Sequence, residues 1–215
     1  MSFVAGYALN IRRGYKDRTY CVPLAGVALS PFWDARYVTG HYHSWLPLPT
    51  WLFAVYIGGH LLVFAQVAIY GPAEFPHLPR GVFYAMVAAF MLMAGAGMLQ
   101  FEHLTHDTWG VQSSLLCQAA TATMSPMMLY HRQSLRGQSI PGNALNLVTS
   151  VCCWFAFIQY PPPASGLAGS GMLRFTICTA VVMCAVYLAC LLAFRHQHRA
   201  KEVTQANPAR ITSMT

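Results

Sequence analysis

Charge is what this sequence has least of. Asp, Glu, Lys and Arg make up 9% of its 215 residues and hydrophobic residues 56%, where a soluble domain is about 25% charged. So much apolar surface cannot be hidden in the core of a chain this short, and lipid is the expected solvent. Several chemical signatures are missing too: a DDxxD-type carboxylate cluster that would hold Mg²⁺ on a diphosphate, a Walker loop, an HExxH pair and a GxSxG elbow. Diphosphate ionisation and ATP hydrolysis are therefore not expected. The seven cysteines (Cys21, Cys117, Cys152, Cys153, Cys178, Cys184, Cys190) lie almost entirely in apolar segments, without a CxxC pair or a Cys/His ligand spacing, and read as packing residues. Of the nine histidines only His60 is clearly inside an apolar run, which argues against a haem held between facing helices. Neither a metal nor a cofactor is expected.

What is present is membrane topology. Hydropathy marks six long spans, roughly 20–42, 47–70, 81–101, 108–130, 143–160 and 172–194, each near the ~20 residues a helix needs to cross ~30 Å of hydrocarbon. Residues 1–10 are apolar but too few to span, and read as a short N-terminal helix. The expected fold is an all-α, polytopic transmembrane helical bundle over residues 1–195, with seven elements. A polar, disordered tail over 196–215 follows. The net charge of +7 could suggest nucleic acid, but the basic residues fall in short clusters between apolar runs, so no nucleic-acid partner is expected. Alternate crossings place every Lys and Arg except Arg36 and Arg174 on one side, which the positive-inside bias makes cytoplasmic, together with the C-terminus. Pro161, Pro162 and Pro163, with the small residues after them, read as a flexible outer connection.

Only six carboxylates exist (Asp17, Asp34, Glu74, Glu102, Asp107 and Glu202), and Asp34 alone sits well inside an apolar run, in PFWDARYV. An acid at that depth costs about 2.5–3.5 kcal/mol, so it faces the bundle interior or a cavity. Arg36 is not its partner, because two residues along a helix point to opposite sides. Tyr56 on the returning helix lies at a similar depth, with His60 about a turn deeper. An acid kept uncharged by an apolar, aromatic setting can donate a proton to an apolar substrate; the plainer reading is a polar hook that joins two helices. Trp33, Tyr37, Tyr56, Trp154 and Tyr187 are candidate pocket aromatics that could stabilise a carbocation. On these residues alone, an enzyme and a proton-coupled transporter of a small amphiphile are equally open.

Two segments carry a family resemblance. NIRRGYKDRTYCVPLAGVALSPFWD (10–34) and SPMMLYHRQSLRGQSI (125–140) resemble the integral membrane meroterpenoid cyclases, the paspaline- and pyripyropene-type enzymes and their bacterial relatives. In that family an acid following the Trp is the proposed proton donor; Asp34 occupies the position, where Glu is usual. A second acid, ahead of a Val-Tyr pair in the last helix, would fall at Cys184 in CAVY and is missing, and a further one would fall near His60. The resemblance implies a membrane-bound, metal-independent cyclase of isomerase or lyase type in natural-product biosynthesis. Its substrate would be a prenyl chain, of farnesyl length, on an indole or other aromatic acceptor. Asp34 and His60 would be catalytic, and Trp33, Tyr37, Tyr56, Trp154, Cys184 and Tyr187 would line the substrate site. In the GQS motif, Gly137 is expected to turn the chain while Gln138 and Ser139 cap or orient the next helix.

Overall fold

The computed structural model of the protein describes residues 2–43, 49–159 and 171–206. Among these residues there are seven α-helices and no strand: α1 (Ser2–Asp17), α2 (Leu24–Val38), α3 (Thr50–Glu74), α4 (Arg80–Thr105), α5 (Val111–Arg132), α6 (Ile140–Gln159) and α7 (Gly171–Ala206). The all-α architecture matches the expectation. Prolines set three of the starts: Pro23, Pro49 and Pro79 immediately precede α2, α3 and α4, with φ of −55°, −69° and −55°. The fixed φ of proline suits the step into a helix, and its missing N–H has no helical acceptor to lose there.

Among the described residues, three helices carry an apolar stretch that is long enough to cross a membrane: Trp51–Glu74, Arg80–Thr105 and Arg174–Gln197. The other three expected spans differ from the hydropathy reading. α2 has 15 residues, about 22 Å of rise, because Pro23 starts it late and the chain turns at Gly40, where φ is +74°. α5 is long but lined with Gln118, Thr121, Thr123 and Ser125, and α6 runs over Ile140–Gln159, starting three residues before the expected span. The N-terminal element is longer than expected. α1 is one 16-residue helix that runs through the basic cluster, and its buried Tyr7, Asn10, Ile11 and Gly14 recur at helical spacing. At the other end α7 continues past the apolar segment to Ala206, so residues 196–206 are helical, where a disordered tail was expected. Their Ala, Lys, Glu and Gln content favours helix once a helix is already running. The Pro161–Pro163 connection and residues 207–215 lie outside the described residues.

The packing pairs form a circuit. α1 packs on α3 and α6, α3 on α2, α2 on α5, α5 on α7, and α7 on α6. α4 lies against the outside of this ring, chiefly on α2, and buries only Phe83, Gly95 and Met98. The outward faces are apolar, with Leu61, Leu92, Met93, Met127 and Phe175 exposed, as a lipid-facing surface requires.

Polar groups gather at the end of the ring where α1, α3 and α5 finish. Glu74 accepts from Thr19 Oγ1 (2.6 Å) and from Arg132 Nε (3.2 Å), and the Arg132 guanidinium lies 4.2 Å over the Tyr20 ring. Gly137, at φ +75°, turns the chain, and its N–H donates to Asp17 at 2.9 Å. Gln138 donates to the Cys21 carbonyl (3.1 Å), and Ser139 Oγ accepts from the Gly142 N–H to cap α6 (3.2 Å). The GQS motif is therefore a turn and a cap, as its residue types suggested, and it ties the segment 125–140 onto the segment 10–34. Deeper in, the fully buried Gln66 donates to the Ile11 carbonyl (2.7 Å) and accepts from the Cys21 N–H (3.2 Å). Replacing Gln66 with Leu would orphan the Cys21 N–H at about 1–3 kcal/mol, while the Ile11 carbonyl keeps its helical partner within α1. The variant is expected to lose about 1–3 kcal/mol of stability, read as an earlier thermal unfolding transition in detergent micelles.

Candidate active site

Helical periodicity places Asp34 on the same face of α2 as Val27 and Tyr37, all three buried. The matching face of α3 carries Phe53, Tyr56, His60, Val63 and Val67 at steps of three and four, and all but the half-buried Tyr56 are buried. Where the faces meet, Asp34, at 2% exposure, is hydrogen-bonded through Oδ2 to His60 Nε2 at 2.9 Å. The two residues expected to carry the chemistry are thus in direct contact. The other ring nitrogen of His60, Nδ1, is 2.7 Å from the phenol oxygen of Tyr7 on α1. Three helices meet in this chain of contacts.

One turn along, towards the start of α3, stands an aromatic wall. Tyr37 and Phe53 stack with centroids 4.2 Å apart and planes 4° from parallel; Trp33 meets both edge-on, and Tyr56 packs against the group. The polar tips are tied down: the Trp33 indole donates to the Gly110 carbonyl (2.7 Å), and the Tyr37 hydroxyl to the Trp109 carbonyl (2.5 Å). These bonds fix the ring faces in place beside Asp34.

Among the described side chains the other acids, Asp17, Glu74, Glu102 and Asp107, are engaged in ion pairs or caps. Arg36 points away from Asp34, as the spacing required, and pairs with Glu102. Asp107 caps α5 by accepting from the N–H groups of Val111 (2.9 Å) and Ser113 (2.8 Å). Of the expected lining residues, Trp33, Tyr37 and Tyr56 stand with Asp34. Cys184 and Tyr187 lie instead on α7, which packs chiefly against α5 and α6. Cys184 has Sγ 3.9 Å from Ser150 Oγ, and Tyr187 packs on Leu129 and Leu191. The side chain of Trp154 lies outside the described residues. Tyr7 and Phe53 are additions that hydropathy did not suggest. The repeat of Tyr7, Asn10, Ile11 and Gly14 was the available signal for Tyr7, once α1 is taken as a full helix.

A cavity of about 620 Å³ opens between α2, α4 and α5, lined by Phe83, Phe90, Met93, Met124, Met127 and Met128 among others; a smaller one of about 280 Å³ lies at the end of α4. Asp34 lines neither. Among the described residues no group of three or more His, Cys, Asp or Glu side chains gathers as metal ligands would.

The family model of the Pyr4-like transmembrane terpene cyclases matches residues 1–197, a stretch that includes α1 to α6, most of α7 and both segments singled out above. The chain belongs to this family. No curated protein and no solved structure matches it. As a transmembrane terpene cyclase, the protein is an integral membrane protein, in keeping with its apolar helices. Terpene cyclisation requires cationic carbon to be generated and kept from water, and a buried acid beside fixed aromatic faces has the chemistry for both tasks.

Asp34→Asn keeps an oxygen that can accept from His60, whereas Asp34→Leu leaves the imidazole without its carboxyl partner. The Asn variant of this cyclase is expected to unfold close to wild type. The Leu variant should lose about 1–3 kcal/mol, measurable as a difference in melting temperature in the same detergent.

Proposed function

We propose that this cyclase protonates and cyclises the prenyl chain, of farnesyl length, of a prenylated indole or other aromatic acceptor, with Asp34 as the general acid. The observation that carries the proposal is the burial of Asp34 against His60, beside Trp33, Tyr37, Phe53 and Tyr56. A neutral carboxyl in that setting gives its proton to a terminal alkene carbon or an epoxide oxygen, and a tertiary cation forms. Successive double bonds attack it, each closing a ring. A proton lost from carbon next to the last cation ends the cascade, so the product is an isomer of the substrate and no co-reactant is consumed. The ring faces stabilise the travelling charge by cation–π attraction, worth about 2 kcal/mol or more when desolvated. Because Asp34 is almost fully covered, a substrate reaches it only after the surrounding side chains move apart.

Membranes that contain wild-type protein, incubated with farnesylated and epoxy-farnesylated indoles, should yield a product of unchanged mass and altered chromatographic retention. Asp34→Asn should lower the rate by about 100-fold or more, the low end of what a positioned general acid contributes. Undiminished product from Asp34→Asn would move the acid elsewhere. Proton-driven uptake into sealed vesicles without isomerisation would replace the cyclase reading with transport.

A further inference from the structure

The contact between Tyr7 and His60 has no role in the scheme so far. We propose that Tyr7 is a positioning residue that holds His60 in its Nε2–H tautomer, so that Asp34 keeps its transferable proton on Oδ1. This deepens the proposed function and rests on Asp34 being the acid.

Neutral imidazole has one donor nitrogen and one acceptor nitrogen, and its two partners here decide which is which. In one arrangement the Tyr7 O–H donates to Nδ1 and the Nε2–H donates to Asp34 Oδ2. An acid that accepts at Oδ2 must carry its own proton on Oδ1, where it is not engaged by His60. In the other arrangement Nδ1–H donates to the phenol oxygen and Nε2 takes the Asp34 O–H, which commits the acid's proton to the imidazole. The Tyr7–His60 contact of 2.7 Å and the His60–Asp34 contact of 2.9 Å are hydrogen-bond lengths that either arrangement can adopt, and only the first leaves the Asp34 proton free for a substrate.

Close helix packing holds the phenol in place. Gly6, beside Tyr7, faces α6: a Cβ there would sit 2.8 Å from the Gly142 carbonyl, and one on Gly142 would sit 2.8 Å from the Gly6 carbonyl. Two glycines let these backbones touch, as small residues do between membrane helices. On the opposite side, a Cβ on Gly59 would sit 2.8 Å from Tyr7 Cε1, so only glycine leaves room for the ring against α3. The ring meets His60 edge-on, with centroids 5.3 Å apart and planes at 61°. Among the described residues Tyr37, Tyr56 and Cys117 also interact electrostatically with Asp34, and phenols and thiols are weak acids, so His60 is the group that could compete for its proton.

During the reaction the Oδ1–H bond breaks as the new C–H or O–H bond forms on the substrate. The carboxylate left behind accepts a stronger bond from Nε2–H, an interaction that grows as the charge develops. The proton lost at the end of the cascade restores Asp34. Tyr7 and His60 exchange no net proton with the substrate.

The test is ¹⁵N NMR of histidine-labelled protein in micelles, with the His60 signals assigned by their loss in His60→Gln, alongside steady-state cyclisation. Wild type should show the Nε2–H tautomer, and Tyr7→Phe a mixture of both. Tyr7→Phe should lower kcat roughly 10- to 100-fold with KM unchanged, as loss of a group that orients a catalytic imidazole does. Gly59→Ala, which displaces the ring without removing the hydroxyl, should give the same mixture and so guards against a Tyr7→Phe protein that fails to fold. An Nδ1–H tautomer in wild type, or full kcat and an unchanged tautomer in Tyr7→Phe, overturns the proposal. If the tautomer behaves as expected while Asp34→Asn cyclises normally, the acid assignment falls and the tautomer assignment stands.

Discussion

A carboxyl group and an imidazole buried among lipid-facing helices must find partners, and here they find each other. The bond between Asp34 and His60 is a modest source of stability, since polar bonds between membrane helices average about 0.6 kcal/mol. Its weight lies in what breaking it on one side costs, because an unpaired buried acid or imidazole loses far more than the bond returns. A slip of α2 by one residue would turn Asp34 by about 100° and carry it 1.5 Å along the axis, out of reach of His60. The bond therefore selects one register of α2 on α3. That register sets Tyr37 on Phe53 and brings Trp33 and Tyr56 to the same wall.

The polar end of the ring holds the same arrangement from below. Gln66, Glu74 and Arg132 bind backbone and side chains of the segment between α1 and α2, and the turn at Gly137 returns to Asp17. Arg132, Gly137 and Asp17 belong to the segments that most resemble the cyclase family, yet their contacts are architectural. They join α1, α3, α5 and α6 around one short loop. With α1 held there and pressed against α6 through Gly6 and Gly142, the Tyr7 oxygen has little freedom except to meet His60.

The circuit of helices also separates two kinds of surface. α4 stands outside the ring, with most of its side chains exposed, and its apolar sequence answers to lipid. α1 is a member of the circuit and is amphipathic, with Arg12 and Lys16 exposed and Tyr7, Asn10 and Gly14 covered by α3 and α6. Hydropathy detects the first kind of helix and passes over the second, because it measures affinity for lipid and not for other helices.

Composition and periodicity by themselves determined that the chain is helical and embedded in membrane, that α3, α4 and α7 are apolar at membrane length, and that Asp34 is the acid with most reason to face inward. They also separated Arg36 from Asp34 and assigned GQS to a turn and a cap, since helix geometry and turn chemistry act over a few residues. Only the tertiary structure decided that α1 is a full helix, that α2 is short, and that Tyr187 and Cys184 pack on α5 and α6. It alone placed Tyr7 on His60, 53 residues away. Such a contact depends on how three helices cross. Crossing is set by side-chain volume and by the glycines that permit close approach, and neither leaves a local mark in the sequence.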